Sequence, residues 1–243
     1  PIQKLNSINN PRYLAFFDTE SYTDENTIGI EFELLPDGTT APKYNNDYHS
    51  LRLGVVIYVE LNKDYTERFR EVYHFRTACE FWNYIDSKTR KNITLHIYAH
   101  NAKYDCLNVH IVNELKRLHY DVPYPTLSNA FILTAKKNKR TIKIVDTFNY
   151  SRTSLESMGE KLGLPKINLG VKGEINFNKI PDKELLTYCE NDVKITEKFM
   201  VSLFKWSYDN NLGTVEKATA STAMSIYRHS FITNTIYYHK NDR

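Results

Sequence analysis

Two acidic residues near the start of the chain, Asp18 and Glu20, follow an apolar run at 13–17. The run predicts a buried strand, and side chains two positions apart on a strand point to the same face. The two carboxylates should therefore project together at the end of that strand. Such neighbours repel each other, and a divalent cation between them would remove the repulsion. The alternative is a pair of strand-end acids that face water, as most Asp and Glu side chains do.

Further along the chain, Asp192 lies in a helical pattern whose buried face follows spacings of three and four. That face comprises Leu185, Cys189, Thr196, Phe199, Met200 and Leu203. Tyr188 and Asp192 share it, one turn apart. A charged side chain among core positions is costly unless it is paired or coordinated. The alternatives are an N-terminal-turn or core-paired Asp192, and a core aromatic Tyr188 whose hydroxyl reaches the surface.

A fourth acidic residue, Asp105, follows an apolar strand predicted at 93–99. A helix is expected at 103–119, and its inward-facing residues would be Leu107, Ile111, Leu115 and Leu118. Asp105 would fall in the first turn of this helix, where the helix dipole favours a carboxylate. Taken alone, Asp105 therefore has an ordinary structural explanation.

Taken in order, these segments resemble the three motifs of the DEDD exonuclease superfamily, in its tyrosine-containing branch. The motifs are Asp-x-Glu at 18–20, Asn-x-x-Tyr-Asp at 101–105 and Tyr-x-x-x-Asp at 188–192. The chain is most similar to the proofreading 3′–5′ exonuclease domain of family B DNA polymerases, in the protein-primed subgroup, over about residues 12–231. Each motif alone is common by chance, whereas the ordered set is specific.

Two further stretches support the resemblance. Residues 126–130 fit the Ser/Thr-Leu-x-x-apolar element with which the subgroup contacts single-stranded DNA, and residues 218–228 resemble the segment that leads out of its exonuclease domain. The resemblance implies an α/β chain with the ribonuclease-H-like exonuclease fold, in which helices flank a mixed central sheet. It divides the chain into an exonuclease domain at 1–205, with 21–50 as an insertion or loop, and a C-terminal helical segment at 206–243 that leads towards a polymerase region.

The resemblance also implies a role for each acidic residue. Asp18, Glu20 and Asp192 would hold one Mg²⁺ or Mn²⁺ ion, and Asp18 would serve a second ion together with Asp105, which acts through water. Two such ions can activate an attacking water and stabilise the leaving oxygen of an in-line displacement. Tyr188 would orient that water, because a tyrosine hydroxyl is too weak an acid to be a good base at neutral pH.

Substrate binding is assigned by the same resemblance to Asn101 and Tyr104, near the terminal nucleotides, and to Leu127 and Ser128 on the strand. An aromatic ring can stack on any base without sequence preference. Asn101 is equally suited to cap the helix that follows it, and both roles can hold together.

The subgroup also uses a lysine between its second and third motifs. The stretch at 154–159, where that lysine is expected, contains none. Lys161 and Lys166 are the nearby candidates, and Lys166 is included among the predicted substrate-binding residues.

The remaining patterns predict alternating strands and helices. Strands are expected at 51–61 and 69–75, helices after capping boxes at 77–80 and 153–156, a helix stop at Gly163 and Pro165, a long helix from 181–182 and a last helix over about 215–229. The last helix is expected to expose Met224, Tyr227 and Phe231. Strands at 131–135 and 141–147 predict a hairpin whose basic residues are Lys136, Lys137, Lys139, Arg140 and Lys143. A solvated tip is favoured there over phosphate binding.

Composition limits the possible classes of protein. The chain has 243 residues, 41% of them hydrophobic, with a net charge of +3 and a pI near 8.6. Any nucleic-acid surface must therefore be a local patch. Three cysteines without metal-site spacing, Cys79, Cys106 and Cys189, indicate a reducing, intracellular compartment. No apolar run approaches the ~20 residues that span a bilayer, and the first residues lack a signal-peptide pattern.

The activity that the resemblance implies is hydrolysis of single-stranded DNA from its 3′ end, in a viral, plasmid or organellar replication system. A terminal protein or other replication proteins are candidate partners, and no membrane is expected. An exoribonuclease with the same four acids is the alternative enzyme. A non-catalytic nucleic-acid-binding module of the same fold is the alternative class, but its mark would be a missing acid. Polymerase activity is expected only in a longer parent protein.

Overall fold

The computed structural model describes residues 2–24, 29–34, 40–45, 48–122, 131–170 and 176–237, with the side chains in these ranges except those of residues 23–49. The strands are β1 (Tyr13–Asp24), β2 (Gly29–Leu34), β3 (Thr40–Asn45), β4 (Tyr48–Leu61), β5 (Glu67–Phe75), β6 (Thr94–Ala99), β7 (Ile132–Lys137) and β8 (Arg140–Asp146). The helices are α1 (Ala78–Lys88), α2 (Ala102–Asn108), α3 (Ile111–Arg117), α4 (Leu155–Lys161), α5 (Asp182–Asp209) and α6 (Thr219–Ser230). Short 3₁₀ turns occupy Thr147–Asn149 and Phe177–Lys179.

A mixed sheet with the strand order β5-β4-β1-β6-β8-β7 forms the centre of the fold. β1 runs parallel to β6 and β6 runs parallel to β8, whereas β4, β5 and β7 pair antiparallel with their neighbours. Helices cover both faces of the sheet, and β2 and β3 form a separate antiparallel hairpin. The predicted α/β class and ribonuclease-H-like fold, with a mixed central sheet between helices, are confirmed.

Alternation along β1 sends successive side chains to two separate hydrophobic cores. Phe17 is 1% exposed and packs in the core on the α1 side of the sheet. Phe16 is 0% exposed and packs in the core on the α5 side. The same alternation directs Asp18 and Glu20 towards α5, and Thr19 towards the opposite face.

β1 is longer than the sequence predicts. It continues to its pairing with the start of β4, so Asp18 and Glu20 lie within the strand rather than at its end. The prediction of a strand end is wrong because the polar residues after Glu20 still find backbone partners on β4, after a shift in register. The predicted insertion at 21–50 contains the β2–β3 hairpin. The residues Pro36-Asp37-Gly38, whose types predict a turn, lie outside the described residues.

The single helix predicted at 103–119 is wrong. Two short helices, α2 and α3, are separated by a turn in which His110 has a left-handed backbone, with φ of 47°. Such a residue cannot continue a right-handed helix, so the face that meets the core changes at the turn. Leu107 is consequently 57% exposed, whereas Ile111 and Leu115 are buried as predicted.

One of the two predicted capping boxes forms. Thr77 and Glu80 bond reciprocally at the start of α1, which confirms the first. The second is wrong, because the cap of α4 is Ser154, whose side chain accepts from the main-chain N–H of Ser157. The capping-box pattern, Ser or Thr followed three residues later by Glu, is met by Thr153 and Glu156 but not by Ser154. The pattern therefore selects a cap one position before the actual one.

The C-terminal helix α6 begins at Thr219 rather than near residue 215. It leaves Met224, Tyr227 and Phe231 exposed, as the pattern predicts. α5 runs without interruption through residue 205, the predicted division between the two segments of the chain. Among the described residues, no helix combines the length and the apolar character that crossing a bilayer requires.

Candidate metal centre

Asp18 and Glu20 of β1 meet Cys189 of α5 on one face of the sheet. One potential ligand atom from each residue lies within 4.8 Å of those of the other two. The two carboxylates point the same way because they are two positions apart on the strand. The packing of α5 brings up Cys189, whose thiol donates to the main-chain oxygen of Asp18 at 3.4 Å. The expected carboxylate pair is therefore bordered by a buried thiol.

Asp192 follows three residues after Cys189 and is only 5% exposed. Its Oδ2 accepts a hydrogen bond from Nζ of Lys166 at 2.6 Å. Its Oδ1 is buried and has no hydrogen-bond partner in the part of the chain that the structure describes. Buried polar atoms without a partner are rare in folded proteins. An unsatisfied carboxylate oxygen in this position is an atom that a bound cation would satisfy.

Burial raises the pKa of each of these carboxyl groups, and repulsion by neighbouring acids adds to the effect for Asp18 and Glu20. Burial, followed by the charge of Asp192, raises the pKa of Asp18 to about 7. Burial, followed by the charge of Asp18, raises the pKa of Glu20 to about 9. Burial also raises the pKa of Asp192, against the opposing effect of Lys166. Three such groups are ionised together at neutral pH only at a large cost unless a cation compensates them.

The chemistry of this group suits a hard divalent cation. Carboxylate oxygens are the ligands that Mg²⁺ and Mn²⁺ prefer. Asp18 and Glu20 bring such oxygens together beside the Cys189 thiol. Asp192 is outside that group of three, but its charge acts on both acids and it offers one oxygen without a partner. The residues therefore fit the ion that the sequence resemblance implies.

Asp105 is held differently from the other three acids. It is 2% exposed, and its Oδ1 accepts hydrogen bonds from Thr19 Oγ1 at 2.7 Å and from the Thr19 main-chain N–H at 3.1 Å. Asn108 in turn donates to Thr19 Oγ1 at 3.0 Å. Burial, followed by the charge of Asp18, raises the pKa of Asp105 well above its usual range. The charge of Asp18 thus acts on Asp105, while one Asp105 oxygen accepts hydrogen bonds from Thr19 of β1.

Lys166 and Tyr188 lie beside Asp192. The Lys166 ammonium is 4.8 Å from the centroid of the Tyr188 ring, in addition to its contact with Asp192. Burial opposes the charged form of Lys166, but Asp192 outweighs it and raises the pKa of the ammonium. Burial also raises the pKa of the Tyr188 hydroxyl, which is a proton donor at neutral pH. Of the two candidate lysines, Lys166 is at the cluster and Lys161 is exposed in the last turn of α4.

Two contacts fix α5 against the elements around it. Arg52 of β4, 8% exposed, donates to Asp182 Oδ1 through Nε at 2.9 Å and through a terminal nitrogen at 2.6 Å. Asn191 donates to the main-chain oxygen of Pro165 at 3.2 Å. The first contact fixes the start of α5 and the second ties the helix to the loop that carries Lys166.

Besides Lys166, four residues are predicted to contact the DNA strand, and the structure describes two of them, Asn101 and Tyr104. Asn101 is exposed at the N-cap position of α2, with a left-handed backbone (φ of 68°) and no capping hydrogen bond from its side chain. Tyr104 is 37% exposed, and its hydroxyl lies 2.6 Å from Ser21 Oγ, one residue beyond the carboxylate pair on β1. Leu127 and Ser128 lie outside the described residues.

Two residues that contact the predicted site residues, Thr19 and Asp146, are not among the residues predicted from the sequence. Thr19 binds Asp105 from between the paired acids, and the carboxylate of Asp146 accepts main-chain N–H bonds at the start of α2. Rules for helix caps consider the residue just before the helix, and so select Asn101. The position of Asp146 at the end of a predicted strand is the one sequence feature that could have indicated its role. The alternation along β1 does not indicate that Thr19 binds Asp105.

The predicted basic hairpin is solvated only in part. Lys136 and Lys139 are exposed. Lys137 instead lies 3.2 Å from Asp86 and 5.1 Å from the centroid of the Tyr120 ring, so the prediction of a solvated side chain is wrong for this residue. The carboxylate and ring come from helix α1 and the end of α3, which the sequence pattern does not place beside the hairpin.

No protein-family profile matches the sequence, and no curated protein matches it. Solved structures of Phi29 DNA polymerase are similar in fold. The complex with primer-template DNA (post-translocation binary complex) and the complex with single-stranded DNA each have a TM-score of 0.51 and 13% identity to this chain. The ternary complex with primer-template DNA and incoming nucleotide has a TM-score of 0.51 and 14% identity. Each match covers 88% of this chain and 34% of the polymerase, so the chain spans about a third of the length of these polymerases.

Proposed function

We propose that this chain is a metal-dependent 3′–5′ exonuclease that hydrolyses single-stranded DNA ends, and that it is the proofreading domain of a family B DNA polymerase of the protein-primed type. The observation that carries the proposal is the carboxyl cluster, in which Asp18 and Glu20 are half-buried and the buried Asp192 has an unpaired Oδ1. A purely structural cluster of this kind would oppose folding, because each added buried charge costs free energy. A site that holds cations for catalysis explains why the acids are together.

Asp18, Glu20 and Asp192 would hold one Mg²⁺ or Mn²⁺ ion, and Asp105 would act with Asp18, through water, on a second. When bound, such ions lower the pKa of a water molecule and stabilise the leaving oxygen of the phosphodiester. The engagement of Asp105 by Thr19 supports the indirect role, since one of its oxygens is already occupied by two donors.

The other side chains would bind and orient the reactants. Tyr188 donates a hydrogen bond that orients the attacking water, since its raised pKa keeps the hydroxyl protonated. Lys166 holds Asp192 in its ionised form and brings a positive charge to the phosphate. The exposed amide of Asn101 and the ring of Tyr104 contact the terminal nucleotides. Base stacking on a tyrosine is tolerant of sequence, as removal of any 3′ nucleotide requires.

The likeness of fold supports a role next to a polymerase. The similar region of Phi29 DNA polymerase is about a third of a larger chain, and that polymerase was solved with single-stranded and with primer-template DNA. On this proposal, residues 1–205 form the exonuclease domain and residues 206–243 lead towards a polymerase region. Nucleotide incorporation is then a property of a longer parent protein, and a terminal protein is a candidate partner of that parent.

The proposal is tested by comparing four labelled substrates in Mn²⁺: single-stranded DNA, single-stranded RNA, and duplex DNA with a matched or a mismatched 3′ end. Fraying costs least at a mismatch, so the mismatched end should be shortened faster than the matched one, and single-stranded DNA fastest of all. Preferential degradation of RNA would point instead to an exoribonuclease. Tight binding of strands without hydrolysis in any metal would point to a binding module.

A further inference from the structure

A buried carboxylate outside the acidic cluster, that of Asp146, lies at the start of the second motif. Asp146 is the last residue of β8 and pairs with Ala99, the last residue of β6. It is 6% exposed. β6 and β8 are parallel, so both end at the same edge of the sheet, where open α/β sheets bind their ligands.

The two oxygens of Asp146 accept three main-chain hydrogen bonds. Oδ1 accepts from Asn101 at 3.1 Å and from Phe148 at 2.9 Å, and Oδ2 accepts from Ala102 at 3.0 Å. An ionised carboxylate only accepts hydrogen bonds, so it matches a set of N–H donors. The N–H groups at the start of a helix have no partner within the helix. Asp146 therefore binds, from another strand, the N–H groups of the N-cap residue Asn101 and of Ala102, the first residue of α2.

The backbone that Asp146 holds is an unusual one. Asn101 has φ of 68° and ψ of 47°, in the left-handed region that few residues other than glycine adopt and in which Asn is enriched. Such a conformation persists when surrounding contacts enforce it. The Asn101 side chain makes no capping bond, so Asp146 holds the turn through the main chain and leaves the Asn101 amide unengaged at the start of α2.

We infer that Asp146 is a positioning residue for the second motif. Its carboxylate fixes the left-handed turn at Asn101 and thereby aims the Asn101 amide and the α2 residues behind it, including Asp105, at the site. The expected effect of Asp146 on DNA binding rests on the proposed function, whereas its hydrogen bonds to the turn at Asn101 do not. Asp105 has its own contact with Thr19, so the larger effect of losing Asp146 falls on Asn101.

The hold on the turn is tested by amide hydrogen exchange in Asp146→Asn. This isosteric change replaces one acceptor oxygen by an NH₂ group that faces a backbone N–H. Exchange at Asn101 and Ala102 should become about tenfold faster, the equivalent of one lost hydrogen bond. Asp86→Asn is the matched control, because Asp86 is also a partly buried acceptor but contacts Tyr120 and Lys137. Unchanged exchange at both amides in Asp146→Asn would overturn the inference, whatever the activity.

The effect on the site is tested by a double-mutant cycle on single-stranded DNA affinity, measured in EDTA so that the strand stays intact. Asn101→Ala and Asp146→Asn should each weaken binding about tenfold, and the double variant should be little worse than either one. Lys166→Ala combined with Asp146→Asn should be additive instead. Additive losses for Asp146 and Asn101 would show that Asp146 acts only through general stability and would overturn the positioning role. Failure of the proposed function is read separately, as the absence of strand degradation by the wild-type protein in Mn²⁺.

Discussion

Asp105 accepts two hydrogen bonds through a single oxygen, from the Oγ1 and the main-chain N–H of Thr19, at 2.7 Å and 3.1 Å. Thr19 stands between Asp18 and Glu20 on β1, and its side chain faces the opposite side of the strand. One strand therefore presents two carboxylates on one face and binds a third from the other. The relative position of the first and second motifs depends on this contact.

Removal of the Thr19 hydroxyl should loosen Asp105 without disturbing β1. Thr19→Val keeps the shape and the β-branched character of the side chain, but leaves Asp105 one donor fewer and leaves the Asn108 amide without its acceptor. Turnover should fall about tenfold, and the free energy of unfolding by about 1–2 kcal/mol. The assay is exonuclease rate alongside urea unfolding. Thr66→Val is the control, since Thr66 makes a similar bond to Asp64 at an exposed position; equal effects of the two changes would contradict the prediction.

Neutralising single acids of the cluster should change stability in opposite directions. In EDTA at pH 8, Asp18→Asn removes a half-buried charge that is repelled by Asp192, and should raise the free energy of unfolding by about 1 kcal/mol. Asp192→Asn removes the partner of Lys166, and should lower it by about 1–3 kcal/mol because a partly buried ammonium is left unpaired. Both variants should lose turnover. Chemical unfolding in EDTA measures the difference, and a loss of stability in Asp18→Asn would argue against strain in the cluster.

Without metal, the folded state should lose stability as pH rises from 6.5 to 9. The pKa of Asp18 is raised to about 7 and that of Glu20 to about 9, so the folded protein keeps protons that the unfolded chain releases near pH 4. The stability that these protonated groups contribute is complete below their pKa in the unfolded chain and is lost as the pH rises through their pKa in the folded protein. The loss is about 1.4 kcal/mol per pH unit for each extra proton that the folded protein holds. Burial lowers the pKa of His96 and of His100 to about 4, which acts in the opposite direction but only below pH 6.5.

Glu20→Gln isolates this effect. The variant should show a flatter dependence of the free energy of unfolding on pH between 6.5 and 9 than the wild type, both in EDTA. Addition of Mn²⁺ should flatten the wild-type curve in the same way, because bound metal removes the preference for protons. Parallel curves for the two proteins in EDTA would contradict the raised pKa of Glu20.

Lys166 should set the acid limb of the activity profile. Its ammonium lowers the pKa of Asp18, of Glu20 and of Asp192. Lys166→Met should therefore raise all three, and the pH at which turnover reaches half its maximum should move upwards. Lys161→Met, an exposed lysine in α4, should leave the profile in place. A profile that is unchanged in Lys166→Met, with only the maximum reduced, would mean that Lys166 acts on the substrate alone.

Much of the site was predictable because local periodicity governs it. Two-residue alternation on β1 pairs Asp18 with Glu20, and the helical spacing of α5 puts Asp192 on its buried face; both patterns act within one element. The ribonuclease-H-like fold, in turn, is what the family resemblance of the ordered motifs implies. These parts depend on residues close in sequence, where the geometry of strands and helices leaves few choices.

The contacts between elements were not predictable in the same way. The bond between Thr19 and Asp105 joins residues 86 positions apart, and that between Asp146 and Ala102 joins residues 44 positions apart. The left-handed residue His110, which divides the helix predicted at 103–119, gives no signal in the apolar periodicity on which that prediction rests. Long-range packing decides such features, and a single sequence carries little signal of it.

The central claim is that the carboxyl cluster of Asp18, Glu20 and Asp192 holds cations for hydrolysis of a DNA 3′ end. The most direct measurement follows a 5′-labelled single-stranded DNA with the wild-type protein in Mn²⁺, in EDTA, and with Asp18→Asn in Mn²⁺. The account predicts a descending ladder of products for the wild type in Mn²⁺ and intact strands in the other two reactions. Undiminished shortening in EDTA, or by Asp18→Asn, would contradict it.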